Sequence, residues 1–195
     1  MNKQILICSA LVLGATLALA GCAGESSSTP APSASVSDSH AGHSMDQSAS
    51  ANDADMAFAS GMKVHHEQAI EMSEMILGKK DIPQEVTALA ERIKAAQAPE
   101  IERMDGWLDE WDMPEGMDHD GMVPEDGIKA LQEASGKEAA QLFLEQMIMH
   151  HEGAVDMAES ELEDGQDAEA KELAGQIIQS QTAEVDEMKQ LLAGL

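Results

Sequence analysis

The chain has 195 residues and a formal net charge of -26, with 37 Asp and Glu against 11 Lys and Arg. That balance makes nucleic acid and anionic headgroups poor partners and attracts cations. Aromatic residues are 2% of the chain and Tyr is absent, while Ala, Glu, Gln, Leu and Met abound, so strands lack their usual residues and helices have theirs.

The N-terminus carries Lys3, then the apolar stretch ILICSALVLGATLALA, closed by Leu19-Ala20-Gly21-Cys22. The stretch is short and rich in small residues, which fits a secretion signal better than a stable transmembrane anchor. The closing tetrapeptide resembles a bacterial lipobox, which implies a signal peptide over residues 1–21 and a lipid on Cys22. Anchor and lipoprotein signal both place the rest of the chain outside the cytoplasm, held at a membrane. Cys8 leaves with the signal, so no free thiol is expected in the mature protein.

Residues 22–53 are rich in Ser, Ala, Gly and Pro, with too few large apolar residues to offset ordering entropy, and read as a flexible tether. Residues 54–195 are long enough for one domain with its own core. Turn signals at Gly78 to Pro83, Met113 to Gly127, Ser135-Gly136 and Asp164 to Gln166 divide that domain. They predict long helices near 54–78, 84–110, 137–163 and 167–193, with a short helix near 125–134.

The first long helix reads FASGMKVHHEQAIEMSEMIL from Phe58, and the fourth helix of the five reads FLEQMIMHHEGAVDMAESEL from Phe143. They match at 9 of 20 positions, and the helices that follow them share a stripe running Leu89, Ile93, Gln97, Glu100, Met104, Leu108. A duplicated helical hairpin explains both matches. Two amphipathic hairpins that bury their stripes against each other give an all-α, antiparallel four-helix bundle. Pro99 interrupts the second helix where the other copy has Ala183, and should bend that helix or make it restart.

At about 100° per residue, Phe58, Met62, His65, Ala69 and Met72 share the buried seam, as do Phe143, Met147, His150, Ala154 and Met157 in the second copy. His66 turns onto a flank with Ile70 and Leu77, and His151 onto a flank with Leu144, Ile148 and Val155. Glu67, Glu71, Glu74, Glu152, Asp156 and Glu159 fall on the opposite side, toward water.

A methionine at seam spacing is usually core packing, and a lone buried histidine is usually a hydrogen-bonded one. Two adjacent imidazoles in each of two copies are a costly way to fill space, because every ring nitrogen then needs a partner. His65, His66, His150 and His151, with Met62, Met72, Met147 and Met157, are therefore candidate metal ligands. Thioethers select Cu(I), with Ag(I) as a mimic, while imidazole also accepts other transition metals. His40, His43 and Met45 in the tether, and Met113, Met117, His119 and Met122 between the repeats, form secondary clusters that could collect ions.

The repeated Phe…Met-x-x-His-His-Glu and Ile…Gln-x-x-Glu patterns, spanning Phe58 to Leu192, resemble the domain of unknown function 305 family. That resemblance implies a ferritin-like bundle, often secreted or membrane-anchored, with members linked to extracytoplasmic copper binding and resistance. It carries the family's ligand histidines and methionines onto the eight residues named above.

Three functions stay open at this level. The first is a non-enzymatic lipoprotein that binds or sequesters copper, exchanging it with copper-handling proteins of the envelope. The second is a di-iron or di-manganese oxidase. Glu100 and Glu184 could serve such an enzyme, but no glutamate stands three residues before a doublet histidine as that chemistry wants. The third is an interaction bundle whose histidines only pack.

Overall fold

The structure, a computed structural model, describes residues 51–112 and 121–195. It contains five helices and, among the described residues, no strand: α1 (Asp53–Leu77), α2 (Gln84–Glu110), α3 (Glu125–Glu133), α4 (Gly136–Asp164) and α5 (Ala168–Gly194). The expected all-α bundle of two long hairpins with a short connecting helix is what forms, and each boundary falls within a residue or so of its sequence prediction.

Local chemistry sets the helix starts. The side-chain oxygen of Asn52 accepts hydrogen bonds from the backbone N–H groups of Ala54 and Asp55, and the Asp55 carboxylate accepts the Asn52 N–H in return. This reciprocal cap satisfies donors that a helix N-terminus leaves orphaned. Asp167 caps α5 in the same sense, accepting from Glu169 and Ala170.

Pro99 does not make α2 restart, for the helix runs unbroken from Gln84 to Glu110. Pro99 lies on the exposed face, as does Ala95 one turn earlier. A carbonyl deprived of its helical donor on that side can turn to water, which lowers the cost of a proline inside the helix.

The hairpins α1/α2 and α4/α5 pack internally and meet mainly through α1 against α4, while α3 lies across both of these central helices. Two apolar clusters fill the interior. One gathers Ala69, Met72, Phe143, Met147 and Met188. The other gathers Phe58, Met62, Met104, Ala154 and Ile177. Between them, halfway along α1 and α4, sit the histidine doublets. No helix among the described residues is long and apolar enough to cross a membrane.

Candidate metal centre

The antiparallel packing of α1 on α4 brings the two seam histidines face to face. The rings of His65 and His150 lie 3.6 Å apart between centroids, tilted by 36°. All four doublet histidines are fully buried. Neither ring nitrogen of His150 makes a side-chain hydrogen bond among the described residues. Burial first, and then the neighbouring His65, His151 and His66, hold the His150 imidazole well below its ordinary pKa. It is therefore neutral at physiological pH, with a lone pair available in a dry interior.

The flank histidines have a different environment from the apolar one their helical neighbours implied. His66 Nε2 lies 2.8 Å from Glu100 Oε2, and His151 Nε2 lies 2.8 Å from Glu184 Oε2. Each bond joins the two helices of one hairpin, so the flank faces α2 or α5, and the carboxylate that reaches it comes from the partner helix. A carboxylate accepts the Nε2–H, which leaves the lone pair of a neutral ring on Nδ1. Nδ1 of His66 and Nδ1 of His151 are both buried without a partner among the described residues. A carboxylate behind an imidazole whose other nitrogen is bare is the usual support of a metal-ligating histidine.

The same two bonds fix the register of each hairpin. Four residues back from His66 stands Met62, and four on from Glu100 stands Met104; these meet in one apolar cluster. Four back from His151 stands Met147, and four on from Glu184 stands Met188, which meet in the other. All four methionines are fully buried. The histidine layer thus lies between two thioether pairs, one contributed by each hairpin. Met104 belongs to the repeated stripe, but spacing alone does not mark it or Met188 as ligands. Their signal was the coincidence of that stripe with the glutamates that reach the doublets.

Met72 and Met157 share the seam but stand seven residues beyond His65 and His150, roughly 10 Å along the axis. Met72 is core, and Met157 is partly buried beside Phe58 in a groove at the end of the bundle. Glu67, Glu71, Glu74, Glu152, Asp156 and Glu159 are exposed, as expected. Cys22, His40, His43, Met45, Met113, Met117 and His119 lie outside the described residues. Met122 is described and partly buried.

Among the described residues no three His, Cys, Asp or Glu side chains are grouped so as to hold an ion by themselves. The side chains on and beside the layer are imidazoles and thioethers, a set of donor types that suits Cu(I) and Ag(I).

The sequence matches the family model "Domain of unknown function (DUF305)" over residues 55–192. No curated protein matches. Among solved structures, a DUF305 fragment from Deinococcus radiodurans is 30% identical with a TM-score of 0.69, over 74% of this chain and 99% of that one. A candidate secreted DUF305 protein from Streptomyces coelicolor is 37% identical with a TM-score of 0.69, over 72% and 91%. CopM in its Cu(I)-bound form is 34% identical with a TM-score of 0.62, over 72% and 96%, and CopM has also been solved with silver and with Cu(II).

Proposed function

The chain belongs to the DUF305 family, and on that premise we propose that it is an extracytoplasmic, non-enzymatic lipoprotein that binds a monovalent soft ion, copper or silver, at its histidine layer. The observation that carries this reading is the paired arrangement of four fully buried imidazoles, two of them backed by carboxylates. Buried ring nitrogens of His66 and His151 that lack a partner among the described residues cost stability, and a bound ion recovers that cost by using lone pairs. CopM, solved with Cu(I), Cu(II) and silver, supports copper or silver as the ion, and it is the thioether donors that favour the monovalent state.

In this reading the ion takes its few ligands from the nitrogens of His65, His66, His150 and His151 and from the sulfurs of the pairs Met62 with Met104 and Met147 with Met188, which together offer more donors than one soft ion uses. Glu100 and Glu184 fix the tautomer of the flank rings and raise their basicity. Met72 and Met157 stand two turns farther along their helices and are left out of this donor set. A dry apolar surround keeps water and oxidants from a Cu(I) ion. The lipid on Cys22 would hold the domain at the membrane surface, where it exchanges ions with envelope proteins that handle copper.

Competition titration of the full chain with Cu(I) or Ag(I) against a chelator tests this. The wild type should compete for the ion and the His65→Ala, His150→Ala double variant should lose that capacity. Equal affinity in the two proteins would remove the histidine layer as the site.

A further inference from the structure

Immediately after the His-His-Glu triplet the two copies differ, with Gln68 in the first and Gly153 in the second. The segment Gly121–Val123 meets both positions. On the first hairpin, Gln68 Nε2 donates to the Val123 carbonyl at 3.0 Å and Gln68 Oε1 accepts the Val123 N–H at 2.8 Å. The side-chain amide thereby pairs with a backbone residue as a neighbouring strand would. On the second hairpin, a Cβ on Gly153 would stand 3.0 Å from the Gly121 Cα, so the two backbones touch and a side chain there would push the segment outward. Gly121 has φ of +90°, which glycine alone adopts readily.

This crossing lies directly over the seam. A Cβ on Gly121 would stand 3.3 Å from His65 Nε2, so the backbone of the segment covers the imidazole that faces His150. Val123 is buried beneath the crossing, and Gln146 Nε2 donates to the Gly127 carbonyl to anchor the chain as it enters α3. Divergence of the repeat at this position has a physical reason: one segment must be received twice, by an amide on one side and by a bare backbone on the other.

We propose that Gly121–Val123 is a strap that gates ion access to the histidine layer, held shut by the Gln68–Val123 pair and the Gly121–Gly153 contact. This rests on the ion-binding reading above and adds its regulation: the ion passes between α1 and α4 when the strap lifts. The competing routes lie beside Glu100 and Glu184, whose side chains remain 21% and 18% exposed.

Acylation by diethyl pyrocarbonate in the metal-free full chain, resolved by fragment mass spectrometry, tests the gate without any ion. With Gln68→Ala, acylation of His65 should rise about tenfold relative to His66, the scale expected when hydrogen bonds that hold a segment are lost. Gln68→Glu keeps only the acceptor and should fall between. Gly153→Ala should also accelerate acylation, although alanine favours the helix, because its Cβ displaces the strap. An unchanged His65 rate in Gln68→Ala, or equal acceleration at His65 and His66, would overturn the proposal. In parallel, silver transfer from the loaded chain to a chelator should quicken by a similar factor in Gln68→Ala at unchanged stoichiometry, and an unchanged transfer rate would overturn ion gating. Gated acylation combined with silver binding indifferent to His65→Ala would instead sink the ion reading and leave the closure over the histidines standing.

Discussion

Nε2 of His66 lies 2.8 Å from a carboxylate oxygen of Glu100, and His151 stands in the same relation to Glu184. The pairs couple the doublet helices to the second helix of each hairpin and leave Nδ1 of both rings buried and open. If the carboxylates serve to orient ligands, Glu100→Gln and Glu184→Gln should each weaken silver binding by roughly 10- to 100-fold, with helical content retained. Competition titration beside circular dichroism checks this, and an affinity unaltered in both variants would reduce the pairs to hairpin struts.

Met104 and Met188 lie level with Met62 and Met147 on either side of the histidines. Met104→Leu and Met188→Leu are close to volume-conserving, so unfolding in urea should show a loss below about 1.5 kcal/mol. Silver affinity should nevertheless fall in both, because sulfur is lost while packing is kept. Met72→Leu, two turns away, should leave affinity unchanged. Equal affinity in all three variants would show that the thioethers only pack.

Glu161 is buried at the end of α4 beside Asp55, whose carboxylate accepts the N–H groups of Asn52, Gln166 and Asp167. Burial first, and then Asp55, push the Glu161 carboxyl up to about 8 from an ordinary 4.5. Between those values the folded chain holds a proton that the unfolded chain has released, so stability should decline as pH rises through that window. Melting temperatures of the wild type and of Glu161→Gln across the window check this. The variant cannot ionise at that position, so the contribution of Glu161 to the slope should vanish; an identical slope in both proteins would assign it to other groups.

The bundle was legible in the sequence because the duplication repeats the same apolar spacing twice, and helical periodicity reports a face directly. It placed His65 and His150 on the seam, where the structure has them paired. Periodicity does not report level along the axis, so Met72 looked equivalent to Met62 although it stands two turns beyond the histidines. Nor does it report what a flank meets. The orientation of His66 and His151 depended on the register of α2 and α5, and Glu100 and Glu184 became their partners only once the hairpins closed. The strap left the faintest trace, a glutamine replaced by a glycine, because the contact between Gly121 and Gly153 joins residues distant in sequence and exists only after α1 and α4 dock.

The proposed site would hold a monovalent soft ion among buried imidazole and thioether groups. X-ray absorption at the copper edge of the Cu(I)-loaded full chain tests it most directly, compared with the His65→Ala, His150→Ala variant. The wild type should show nitrogen and sulfur neighbours, and the variant should lose this mixed environment. Oxygen-only coordination, or a spectrum identical in the two proteins, would contradict it.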